Sequence, residues 1–159
     1  TTNIMVILEP SQGIKKATGI DFDILGDIIS LILMNTHRKP VDFVCKIHKS
    51  REAGVSQVTY SDDAKSGLAF DMLLDQTTRQ TRKFIFGSIL HELRHCCQLN
   101  IWKYWTDTAK FKTYDDYYDS KEEMDARKAE KLTKIVIKMY DAAVEAKKQY
   151  VKYGLTKLG

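Results

Sequence analysis

The chain has 159 residues, 43% hydrophobic and 29% charged, with a formal net charge of +4. That length fits one domain, expected to span residues 1–159, and is enough to bury a core without disulfide staples. Only 8 Gly and 2 Pro, with 10% aromatic residues, exclude disordered and fibrous classes. The longest apolar stretch, around Ile28 to Met34, is well short of the roughly 20 residues of a membrane span, so no membrane partner is expected. No basic stretch followed by an apolar run opens the chain, so a secretory leader is not expected either. Cys45, Cys96 and Cys97 are odd in number and two are adjacent, which suits packing in a reducing compartment better than a disulfide framework. The expected location is cytoplasmic. Charge is balanced through residue 120, and the basic excess lies in residues 121–159.

Taken in chain order, Asn3 to Leu8 (NIMVIL) reads as a strand and Lys15 to Gly19 as a loop. Asp21 is a plausible N-cap for a helix to about Asn35, with Ile24, Leu25, Ile28, Ile29, Ile32 and Leu33 at helical spacing. Val41 to Lys49, Val55 to Tyr60 and Gly67 to Leu74 read as three strands, separated by turns at Gly54 and Ser61-Asp62-Asp63. Gaps this short leave no room for crossover helices, so an antiparallel meander is expected. Thr77 or Thr78 can cap a helix running to about Tyr104, stabilised by Phe84, Ile85, Ile89, Leu93 and Cys97. Trp105 to Asp119 is polar and tyrosine-rich, and reads as a long loop. Ser120 with Glu123 forms a capping box for a final helix to about Tyr153, whose buried stripe is Ala129, Leu132, Val136, Tyr140 and Ala143.

The central helix carries His91-Glu92-Leu93-Arg94-His95, an HExxH motif. Residues four apart share a helix face, so both imidazoles reach one ion, and Glu92 is turned about 100° aside, where it can deprotonate a metal-bound water. Two imidazoles plus a carboxylate leave an open position and favour Zn2+. By residue frequencies the motif occurs by chance in about one chain in a few hundred of this length. Here it lies inside a strong helix, after a strand-rich segment, and ahead of the acidic cluster Glu122-Glu123-Met124-Asp125.

HELRHCCQ followed by a glutamate-bearing helix resembles the gluzincin type of zinc metallopeptidase. The resemblance covers about residues 40–135. Its E-x-x-A element matches Glu123-Met124-Asp125-Ala126, while the Asn or Asp that often follows the alanine is Arg127 here. Compact size and three strands before the motif look like the small bacterial and phage peptidases of the ImmA/IrrE type. The resemblance implies an α+β, zincin-like fold: a small antiparallel or mixed sheet of 3–4 strands packed on the HExxH helix, an N-terminal helix and a long C-terminal helix.

The third ligand stays open between two readings. The family pattern selects Glu123, whereas the phase of the final helix puts Glu122 and Asp125 nearer its inward stripe, and the capping box would use Glu123 on the backbone. For an oxyanion donor, which by resemblance is commonly Tyr or His, the candidates are Tyr114, Tyr117 and Tyr118, with Tyr117 preferred. By the same resemblance the strand Gly67 to Leu74 would edge the cleft and pair with an extended peptide. Gln98 lies one turn beyond His95 and can order it or be an ordinary polar residue. His37 and His48 have no matching partners and read as structural or surface residues. Lys131, Lys134 and Lys138 share one face of the final helix, read as solvated rather than as a nucleic-acid surface.

The expected activity is zinc-dependent hydrolysis of a peptide or protein substrate in a bacterial or phage-infected cell. Zn2+ would sit on His91, His95 and Glu123, with Glu92 as base and Tyr117 as oxyanion donor. The alternative is a non-catalytic, metal-binding regulator or virion-associated binding protein on the same fold.

Overall fold

A computed structural model of the chain describes residues 5–36, 42–52, 56–61, 69–75, 81–98 and 112–154. Four strands, β1 (Val6–Pro10), β2 (Phe43–Ser50), β3 (Gln57–Tyr60) and β4 (Ala69–Asp75), form one mixed sheet in the order β1-β2-β4-β3. β1, β2 and β4 are mutually parallel, and β3 runs antiparallel to β4 at one edge. The expected meander is therefore overturned: β4 inserts between β2 and β3. Composition explains the order. β4 contributes Phe70, Met72 and Leu74, all essentially inaccessible, and takes the interior place. β3 exposes Gln57, Thr59 and Tyr60 and takes the edge. The strand expected to edge a cleft, Gly67 to Leu74, is thus internal, and the edge next to it belongs to β3.

Alternation along the strands gives the sheet one buried face. Val6 and Leu8 pair with Phe43 and Cys45, and Cys45 and Ile47 pair with Phe70 and Met72. All of these are buried. Phe43 meets Phe70 edge-on at 5.5 Å, and Tyr60 stacks on Phe70 at 5.1 Å.

The helices are α1 (Gln12–Thr18), α2 (Phe22–Thr36), α3 (Arg82–Cys97), α4 (Tyr114–Tyr118), α5 (Lys121–Ala129) and α6 (Thr133–Lys152). α1 replaces the loop expected at Lys15 to Gly19: Ser11 Oγ accepts from Ile14 N at its start, and Gly19 closes it at φ 63°. Asp21 caps α2 as expected, accepting from Ile24 N at 3.1 Å. α2 lies so close to β1 that a Cβ at Gly26 would stand 3.0 Å from the Val6 carbonyl oxygen. The adjoining Ser30 hydroxyl accepts from Val6 N at 2.8 Å.

Thr81, not Thr77 or Thr78, caps α3, its hydroxyl accepting from Phe84 N. Thr77, Thr78 and the expected continuation of this helix to Tyr104 lie outside the described residues, as do His37 and the Gly54 turn. The expected loop before Ser120 contains α4, capped by Thr113. The expected final helix is two helices, joined by a 3-10 turn at Glu130–Leu132.

α6 packs across α2 and α3 through the stripe read from the sequence. Val136 and Tyr140 are buried, and Leu132 and Ala143 are partly so. The Tyr140 ring meets Phe86 edge-on at 5.1 Å, and its hydroxyl accepts from Asp21 N at 2.9 Å. Arg82 pairs with Asp141 through both nitrogens, at 2.5 and 2.8 Å. Among the described residues, no helix is long and apolar enough to cross a membrane.

Candidate metal centre

α3 presents one face to the sheet and the other to α5. Ile85, Phe86, Ile89, Leu90, Leu93, Cys96 and Cys97 fill the first and its flanks. The three cysteines are free and buried, in keeping with packing. Burial pushes the Cys97 thiol up to about 12 and Cys96 well above its usual range. His91 and His95, one turn apart, point toward α5, their ring centroids 4.9 Å apart. Gly87, a turn before His91, faces the start of α6: a Cβ there would lie 3.4 Å from Thr133 Oγ1.

Glu123 comes from the first turn of α5. Its Oε2 is 3.0 Å from His91 Nε2 and its Oε1 2.9 Å from His95 Nε2. Among the described residues, His91, His95 and Glu123 form a group able to hold a metal ion, with ligand atoms within 4.8 Å of one another. The donor set fits a divalent cation: two imidazole nitrogens and a carboxylate converge, and Glu123 and His95 are only 5% and 3% exposed. Glu123 is also the N3 residue of the capping box, and Ser120 Oγ accepts from its amide at 3.3 Å. Its carboxylate does not return to the cap, because the histidines hold it.

The other acidic candidates have different partners. Asp125 takes Arg94 Nε at 2.9 Å and a second guanidinium nitrogen at 3.2 Å. The Glu122 side chain is buried but outside the metal-capable group, and its carbonyl accepts from Gln98 Nε2 at 2.9 Å. Helix phase misled here because the stripe was carried back through the 3-10 turn. Each 3-10 residue turns about 120° rather than 100°, so three of them shift the phase by roughly 60°.

Of the three tyrosines, Tyr117 reaches the centre, its hydroxyl donating to Glu123 Oε1. Tyr114 is exposed, and Tyr118 lies under the Arg127 guanidinium at 3.7 Å. Arg127 also donates to the Tyr118 carbonyl, so the residue departing from the family pattern fastens α4 to α5. His48 sits on an exposed strand position, 3.7 Å from Asp71.

Electrostatics follow from this packing. Burial works to raise the Glu123 pKa, but hydrogen bonds from His91, His95 and Tyr117 outweigh it and hold the carboxyl well below its usual range. Burial works to lower the His91 pKa, but the bond to Glu123 and the nearby Glu92 carboxylate raise it overall. Burial raises Glu92 above the usual carboxylate range, against the pull of His95 and His91. Burial and the bond to Glu123 raise the Tyr117 pKa. Glu130, absent from the expectations, places Oε2 3.7 Å from His91 Nδ1. The signal for it was its spacing, seven residues or two turns past Glu123.

No protein-family model matches the chain, and no curated protein or solved structure matches it.

Proposed function

We propose that the chain is a zinc metallopeptidase of the gluzincin type, hydrolysing peptide bonds. The convergence of His91, His95 and Glu123 on one point, beside the buried Glu92, is the observation that supports this reading most. When bound, Zn2+ would supply Lewis acidity at the scissile carbonyl. Glu92 takes the proton of the attacking water and returns it to the leaving amine. The Tyr117 hydroxyl, which donates to Glu123 Oε1 at rest, would turn from it to donate to the developing oxyanion. The exposed polar edge of β3 is the place for an extended peptide to pair beside α3.

The test is cleavage of a peptide library by the zinc-loaded protein, with Glu92→Gln alongside. Cleavage by the wild type and its loss in Glu92→Gln, with zinc retained in both, supports the assignment. Stoichiometric zinc with no cleavage of any substrate favours instead a metal-binding regulator or virion-associated protein.

A further inference from the structure

Gln98 is fully buried one turn beyond His95, and its amide uses both ends. Its Nε2 donates to the Glu122 carbonyl and to Asp125 Oδ2, each at 2.9 Å. Both of those partners only accept, Asp125 being ionised beside Arg94. Reversing the amide would set its oxygen against two other oxygens in a dry site, so the orientation is fixed. Its Oε1 therefore faces His95 Nδ1, at 2.7 Å. An amide oxygen only accepts, so Nδ1 carries a hydrogen for it, and Nε2, 2.9 Å from Glu123, is the ring nitrogen left to an ion held there.

From this we infer that Gln98 is a positioning residue for the metal centre. It fixes the ring nitrogen through which His95 binds the ion, and it fastens the end of α3 to the first turn of α5, which carries Glu123. The inference rests on the metal part of the proposed function and not on catalysis. The order Arg94, Asp125, Gln98, His95 forms one connected chain. Arg94 grips Asp125 with two hydrogen bonds, Asp125 sets the amide, and the amide sets the imidazole. Among the described residues, the other histidine has no such support. Its Nδ1 faces the part-exposed Glu130 at 3.7 Å, beyond hydrogen-bond length. Among the described residues the centre is thus asymmetric: an amide holds Nδ1 of His95, and a more distant carboxylate faces Nδ1 of His91.

The experiment uses the full chain labelled with 15N-histidine and loaded with zinc alone. In the wild type, long-range 1H–15N spectra are expected to show His95 bound through Nε2, with a slowly exchanging hydrogen on Nδ1. Gln98→Met keeps the volume but removes the acceptor. It is expected to lose that protected hydrogen and to bind zinc about 10–100-fold more weakly. Glu130→Gln is expected to change zinc affinity less. Zinc bound through Nδ1 of His95 in the wild type overturns the role, whether or not Gln98→Met folds. A folded Gln98→Met protein with wild-type zinc affinity overturns it as well. No zinc binding by the wild type overturns the metal reading itself, and this role with it.

Discussion

Replacing Glu123 by Ala removes in one step the acceptor of hydrogen bonds from His91, His95 and Tyr117. Glu123 is only 5% exposed, so bulk water does not take over those contacts. A hydrogen bond to a charged group contributes about 1.5–3 kcal/mol, but three bonds to one carboxylate do not add. Removing one partner of a buried ion pair costs about 3–5 kcal/mol, which sets the scale for the metal-free protein. In a chain of this size each kcal/mol moves the midpoint by about 2–4 °C, so metal-free Glu123→Ala is expected to melt roughly 6–20 °C below the wild type. Zinc at about 100 times its Kd adds roughly 2.7 kcal/mol to the wild type, and this increment is expected to shrink when one ligand is gone. The assay is thermal unfolding after chelation, with and without added zinc, with Glu122→Ala as the comparison. Glu122→Ala is expected to keep the zinc-dependent increment. A Glu123→Ala protein that melts with the wild type and keeps the full increment would refute the reasoning.

Tyr117→Phe keeps the ring and removes the hydroxyl. It is expected to lower kcat by about 100- to 1,000-fold while zinc stoichiometry is retained, and unchanged turnover would remove Tyr117 from the mechanism. Gly26→Ala drives a Cβ to 3.0 Å from the Val6 carbonyl oxygen, a backbone atom of β1 that cannot swing aside. Calorimetry is expected to show a loss of about 1–3 kcal/mol with zinc affinity unchanged. The pH dependence separates the metal-free and metal-loaded states. The His91 pKa is raised by its partners, so the stabilisation from the His91 and Glu123 pair is fully present below about pH 6.5 and is lost as pH rises through the folded value. Zinc competes with the protons on its ligands, so the zinc-dependent rise in Tm is expected to grow from acid to neutral pH. A rise that shrinks over that range would contradict the ligand assignment.

Much of the centre was legible because its logic is local. His91 and His95 are four residues apart on one helix, and no tertiary information is needed to put them on one face. Glu123 was harder, since two local rules competed for it. The capping box claimed its carboxylate, and the stripe of α6 pointed elsewhere. Tertiary contact with the histidines overrode the first, and the 3-10 turn at Glu130–Leu132 broke the phase behind the second. The role of Gln98 needed the structure, because its donors meet groups on α5 that sequence spacing does not place. The sheet was misread for a related reason. Chain order suggested which strands were neighbours, but burial decided it, and the apolar β4 displaced the polar β3 to the edge. The α1 helix was missed although Ser11 and Gly19 both announced its ends.

The central claim is that one buried carboxylate, Glu92, does proton work beside a metal held by His91, His95 and Glu123. Glu92→Gln tests it most directly, as the amide keeps the shape and cannot carry the proton. Zinc content and peptide cleavage are measured on the same preparation. The account predicts one zinc per chain in both proteins, with cleavage in the wild type and none in the variant. Cleavage by Glu92→Gln at the wild-type rate would contradict it.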